Sequence, residues 1–205
     1  MMDSGFEGDA GKAQRVGLFG GTFDPVHCAH LEIARRVRGA LSLDRVIFIP
    51  NAQSPIKESA PGASGSQRRA MLALAIEGEA GFSIDPYELE RGGVSYSIET
   101  ALYFCERLPG AEFFWILGAD QFEQLGRWRE IERLASLLTF AVFRRAEASV
   151  VAPKVAGLKY TEVDAPLMDM SSSAIRAAFA KGEIPKGQLP RGLDAFILRE
   201  GLYKR

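Results

Sequence analysis

Short apolar runs alternating with helically spaced segments restrict the fold of this chain more than any other feature. The runs at 16–19, 46–49, 82–84, 113–117 and 138–143 are each too short for a helix and stop at glycine, proline or a charged residue. Near-continuous apolar runs of this length mark strands covered on both faces, as in a parallel sheet flanked by helices. After the first run, Leu31, Ala34, Val37 and Leu41 recur at helical spacing, with Glu32, Arg35, Arg36 and Arg38 mostly on the other face, which predicts a helix over 29–41. Further helices are predicted over 67–76, 97–108, 173–180 and 192–200. Strand, helix and strand in succession argue for right-handed parallel units. The expected fold is a doubly wound parallel α/β sheet, Rossmann-like and in a single domain over 15–205, with its ligand crevice at the carboxyl ends of the strands.

Two stretches fall outside that rhythm. Residues 1–14 are rich in glycine and aspartate and lack the apolar core of a signal peptide, so a flexible leader is expected. Residues 51–66 gather proline, glycine, serine and glutamine, and a loop of that length inside a compact domain is expected to be mobile and functional. A net charge of -1 supplies no field to recruit nucleic acid or an anionic membrane, and no apolar run approaches the roughly 20 residues of a membrane span. Cys28 and Cys105 form neither a disulfide framework nor a zinc-binding spacing, and a cytoplasmic setting is the default. No protein-built metal site is expected, and the sequence specifies no oligomeric state.

Both histidines of the chain, His27 and His30, sit in the segment Gly20-Gly21-Thr22-Phe23-Asp24-Pro25-Val26-His27-Cys28-Ala29-His30. It joins a buried strand to a helix, where free backbone N–H groups and the helix dipole favour an anion. Glycine lets the backbone come close to a phosphate, and two imidazoles three residues apart share one side of a first helical turn. The HxxH pair alone would be read first as a capped helix with incidental surface histidines, and second as a zinc pair, for which cysteine and histidine offer no third ligand beyond Cys28. With the glycine turn in front of it, phosphate binding and stabilisation of charge developing on phosphate oxygens take precedence. A second anion motif, Ser171-Ser172-Ser173-Ala174-Ile175-Arg176, opens a helix far along the chain. Its serines can cap or donate, and Arg176 can fork onto phosphate oxygens. Asp120, after a strand and Gly118-Ala119, suits either a ribose hydroxyl or a helix cap.

The first segment resembles the signature of the nucleotidyltransferase superfamily, a Gly-Gly-Thr-Phe-Asp-Pro turn followed by His-x-Gly-His, with Ala29 here in place of the glycine. The second resembles the Ser-Ser-Thr/Ser-x-Ile-Arg segment of the same superfamily. Between them, Ser54-Pro55-Ile56-Lys57, Glu88-Leu89-Glu90-Arg91, Ser95-Tyr96-Ser97, Leu117-Gly118-Ala119-Asp120 and Trp128 resemble the bacterial nicotinate-nucleotide adenylyltransferase family, as does the tail from Leu189-Pro190 to Leu202-Tyr203. The chain departs from that family at Ile56, where a polar group is usual, and at Arg144-Arg145-Ala146-Glu147, where Arg-Pro-Gly is usual.

The resemblance implies an enzyme with ATP and nicotinate mononucleotide as partners and magnesium carried on the ATP phosphates. It implies ATP contacts from Gly20, Gly21, Thr22, Phe23, His27, His30, Lys57, Ser172, Ser173 and Arg176, of which His27, His30, Lys57 and Arg176 serve catalysis. It implies an acceptor pocket of Tyr96, Ser97, Asp120, Trp128 and Arg129, with Trp128 stacked on the pyridine ring and backbone N–H groups at Ser97 and Arg129 on its carboxylate. Pantetheine-phosphate adenylyltransferase shares the first motif but not the middle segments. A nucleotide-binding regulator without turnover and a nucleic-acid ligase domain are the readings from other classes.

Overall fold

The computed structural model describes residues 13–56, 60–145, 150–165 and 170–204. Most of the leader expected at 1–14 therefore lies outside the described residues, as do Lys57 and Ala146-Glu147. In chain order the elements are β1 (Arg15–Gly21), α1 (Cys28–Ala40), β2 (Arg45–Pro50), α2 (Gly65–Ala75), β3 (Phe82–Ile84), α3 (Tyr87–Arg91) and α4 (Ser97–Arg107). There follow β4 (Glu112–Gly118), α5 (Ala119–Phe122), a 3-10 turn (Leu125–Arg127), α6 (Ile131–Leu137), β5 (Thr139–Arg145), β6 (Tyr160–Ala165), α7 (Ser172–Ala180) and α8 (Leu193–Arg199).

The strands form one parallel sheet in the order β3-β2-β1-β4-β5-β6. Side chains alternate across it. Phe19, Val46, Phe48, Phe114 and Ile116 face the core shared with α1, α2, α7 and α8, whereas Val16, Leu18, Ile47, Ile49, Trp115 and Leu117 face the core shared with α4 and α6. Both faces are therefore covered, the condition that made the strands legible as apolar runs. The order reverses between β1 and β4, so a crevice opens where β1 ends at Gly20-Gly21.

Strand β6 was not anticipated. Only Val163 in it is buried, and Arg144 holds Glu162 and Asp164 at 2.7 and 3.0 Å, so an edge strand carries charges where the interior strands carry apolar side chains. Helix α2 starts at Gly65 rather than at 67. Ser64 accepts from the Gln67 N–H at 3.2 Å while the Gln67 side chain accepts from the Ser64 N–H at 3.1 Å, a reciprocal cap that removes the last residues from the loop expected at 51–66.

Candidate active site

The end of β1 is shaped by what its glycines leave out. A Cβ on Gly21 would stand 2.9 Å from the Phe23 ring, and one on Gly20 would stand 3.2 Å from Trp115. Phe23 adopts a left-handed φ of 48° and turns its ring into the core, 5.7 Å from both Phe19 and Phe48. The side chain expected at ATP is thus packed beneath the site, where its edge supports His30 at 5.1 Å. Arg68, 2% exposed, donates to the carbonyls of Thr22 at 2.8 Å and Asn51 at 2.8 Å, and so staples the ends of β1 and β2 together from within. Burial lowers its pKa, offset by the charge of Asp24.

His27 precedes the first residue of α1, and its N–H donates to Nδ1 of His30 at 3.1 Å. The two imidazoles stack with centroids 3.7 Å apart. Because His30 Nδ1 accepts, the proton of that ring is on Nε2. His27 is 6% exposed, and burial lowers its pKa from 6.5 to about 4, so it is neutral at pH 7. Ala29, in the family's glycine position, is buried in the first turn of α1.

Helix α7 docks on this turn. Ser171 caps it by accepting from the Ala174 N–H at 3.1 Å. Ser172, expected at ATP, donates its hydroxyl to the Pro25 carbonyl at 2.9 Å and so ties the start of α7 to the turn. Arg176 donates to the Asp24 carbonyl at 2.8 Å and to Ser173 Oγ at 3.3 Å, leaving three of its five N–H groups unclaimed by these two bonds. Asp24 is 4% exposed, and its carboxylate accepts from the N–H groups of Gly62 and Ala63 and from the Tyr203 hydroxyl. No sequence rule pointed to this hub or to Arg68. Asp24 lay inside the quoted motif without a partner, and Arg68 looked like an ordinary helix charge.

On the other side of the glycine turn lies a cavity of about 600 Å³. It runs from Gly20, Gly21 and Thr22 to Tyr96, Ser97, Trp128 and Arg129. Trp128 meets Trp115 edge to face at 6.3 Å, and its indole nitrogen is buried without a partner among the described residues. Arg129 lies over the Tyr96 ring at 4.6 Å and 3.7 Å from Glu99. Ser97 is the first residue of α4, where a backbone N–H has no acceptor within the helix. Glu88 and Ser95, which lie within the stretches that resemble the family but were not among the individual site residues expected, form part of the wall. Glu88 accepts from Thr100 at 2.6 Å, and burial raises its pKa. Asp120 is exposed inside α5, whose cap is Gly118, so it does not cap that helix, and Gln121 is the residue of α5 that lines the cavity. The histidines, Ser173 and Arg176 form a second group beside the turn and do not line this cavity. The cavity and the histidine group are therefore two adjoining half-sites that meet at the turn following β1.

A parallel sheet with a glycine turn and two histidines at its switch point, flanked by an arginine-bearing helix and an aromatic cavity, defines a Rossmann-like class of α/β protein. The chain belongs to the cytidylyltransferase-like family, whose model matches residues 18–178. Its curated relatives are narrower in kind. A Streptococcus pyogenes protein described as "probable nicotinate-nucleotide adenylyltransferase" is 39% identical over 93% of this chain and 89% of its own length. A Lactococcus lactis protein of the same description is 36% identical over 96% of this chain and 99% of its own. Among solved structures, Plasmodium falciparum nicotinic acid mononucleotide adenylyltransferase complexed with NaAD superposes with a TM-score of 0.76 at 18% identity, covering 93% of this chain and 97% of that one, a likeness of fold. Among the described residues no helix is long and apolar enough to cross a membrane.

Proposed function

We propose that the protein transfers the adenylyl group of ATP to the phosphate of nicotinate mononucleotide, giving nicotinate adenine dinucleotide and pyrophosphate in NAD biosynthesis. The observation that carries this reading is the pair of half-sites meeting at Gly20–Thr22, one rich in phosphate-binding groups and the other aromatic. An acceptor phosphate oxygen attacks the α-phosphorus of ATP. The bond to the bridging oxygen breaks, and pyrophosphate leaves with the electron pair. A phosphate monoester is already nucleophilic at neutral pH, so no side chain has to remove a proton. His27 is neutral and His30 carries its proton on Nε2, which suits both to hydrogen-bond phosphate oxygens and neither to act as a base. Arg176, held against Asp24, adds fixed positive charge beside the turn.

Lys57 is assigned to the ATP phosphates on the family match, as a group carried by the loop that follows β2. Magnesium fits this site as an ion carried on the ATP phosphates and water. The turn's own carboxylate, Asp24, is committed to two N–H groups, a hydroxyl and an arginine. Magnesium carried in on ATP would neutralise charge on the departing pyrophosphate. In the other half-site Trp128 stacks on the pyridine ring, and the N–H groups of Ser97 and Arg129 receive the carboxylate. A cytoplasmic location fits an enzyme that draws on ATP.

Pyrophosphate release from ATP and magnesium, measured against a panel of phosphate acceptors, tests the assignment. Release with nicotinate mononucleotide well above that with 4′-phosphopantetheine is expected. Release with phosphopantetheine alone would refute the acceptor.

A further inference from the structure

The chain ends on a contact that the reaction above does not use. After α8, Gly201 at φ 64° and Tyr203 at φ 61° turn the chain sharply back on itself. The left-handed region is unusual for a bulky residue and persists only where the surroundings hold it. Leu202, 8% exposed, anchors the turn in the core. The Tyr203 ring lies 6.4 Å from Phe179 of α7 and close over Gly62, where an added Cβ would stand 3.1 Å from it. Its hydroxyl then donates to Asp24 Oδ1 at 2.8 Å, across 179 positions of sequence.

That carboxylate divides its work between two oxygens. Oδ1 receives Tyr203 and the Ala63 N–H at 3.0 Å, while Oδ2 receives the Gly62 N–H at 2.7 Å and faces Arg176 at 3.7 Å. The carboxylate therefore pins the backbone at 62–63 and sets the negative charge beside Arg176, whose donors reach the Asp24 carbonyl and Ser173 Oγ. We propose that Tyr203 is a positioning residue of the ATP half-site, whose hydroxyl fixes the Asp24 carboxylate and through it Arg176 and the backbone at 62–63. The inference rests on assigning ATP to the side of the turn that carries the histidines and Arg176. Burial and the neighbouring carboxylate raise the pKa of the phenol, so it stays a donor throughout the working range. A merely structural tail would need only Leu202 and the ring, and neither requires a hydroxyl on a buried carboxylate.

Tyr203→Phe in the full chain removes that hydroxyl and keeps the ring. Calorimetric binding of a methylene analogue of ATP with magnesium, together with the separate KM values for ATP and acceptor, reads the effect. The dissociation constant and the KM for ATP should rise about tenfold, the scale of a hydrogen bond to a charged group, with the acceptor KM within about twofold. Gly62→Ala, which pushes on the ring from the other side, should give the same split. Should Tyr203→Phe not fold, Gly62→Ala decides. Analogue binding and ATP KM within about twofold of the parent in the folded variants, whatever the loss in melting temperature, would overturn the inference. If the parent makes no dinucleotide from nicotinate mononucleotide, the proposed acceptor fails. The calorimetric arm still decides the role of Tyr203, because it needs only the ATP analogue.

Discussion

Acid should weaken this protein through His27, in the interval between the imidazole's unfolded and native pKa values. The imidazole is 6% exposed in the native state, with a pKa lowered by burial from 6.5 to about 4, while the unfolded chain protonates it at the ordinary value. The sign follows from proton binding. Between those two values the unfolded state holds the extra proton, so stability is complete above pH 6.5, falls as the pH drops, and levels off below about 4. At about 1.36 kcal/mol per tenfold change in proton affinity, the loss over that window is on the order of 3 kcal/mol, a large share of a typical domain's stability. Other groups titrate in the same range. The Arg35 guanidinium lowers the pKa of Glu79, whereas burial raises that of Glu88. A comparison with His27→Asn cancels these, because asparagine can still precede the helix but cannot take the proton. Urea unfolding free energies at intervals from pH 7.5 to 4 should fall more steeply for the parent than for His27→Asn, by about 3 kcal/mol over the range. Parallel curves would refute the claim that a neutral His27 is built into the native state.

Other perturbations bear on the two half-sites. His30→Ala should lower kcat by about 10²-fold with little change in melting temperature, the scale of one lost charge-stabilising donor; activity like the parent's would remove His30 from the reaction. Trp128→Ala should raise the KM for nicotinate mononucleotide several-fold more than that for ATP, and an equal effect on both would argue against stacking on the acceptor. Nicotinate mononucleotide should exceed nicotinamide mononucleotide by at least about tenfold in kcat/KM, because an amide turns a donor toward the N–H groups of Ser97 and Arg129, and equal use of both would refute the carboxylate pocket. Arg68→Met should cost about 2–5 kcal/mol in urea unfolding by leaving the Thr22 and Asn51 carbonyls buried without their donor, and an unchanged midpoint would mean that desolvation of the guanidinium cancels those bonds.

Legibility in the sequence tracked burial and locality. The strands through Leu18, Phe48 and Trp115 were readable because both of their faces are covered, whereas β6 was not, because Val163 is its one buried residue. His27 and His30 stood out because the protein's two histidines share one turn. The bond from Ser172 to Pro25 was not legible, since sequence carries no sign of which acceptor a hydroxyl will choose. Phe23 sits in the motif yet faces the core, a consequence of its left-handed backbone. Asp24, Arg68 and Tyr203 escaped notice for a common reason. Their partners lie 17 to 179 positions away, and polar pairs at such separations leave no period in the chain.

The reach of Asp24 also bears on how the protein is made. Residues 20–30 are among the first described segments to be synthesised, and they carry the histidines. Yet the carboxylate in their midst is satisfied only when 62–63, 176 and 203 have arrived, the last from the far end of the chain. At roughly 5–20 residues per second on the ribosome, the turn waits on the order of ten seconds or more for its final partner. Contacts of such long sequence separation also form late in folding, once the cost of closing the loop has been met. A nascent chain can thus hold its signature motif and a formed β1–α1 unit while Arg176 has nothing to be aligned by. A turn made early in the described chain is among the last parts of it to be competent.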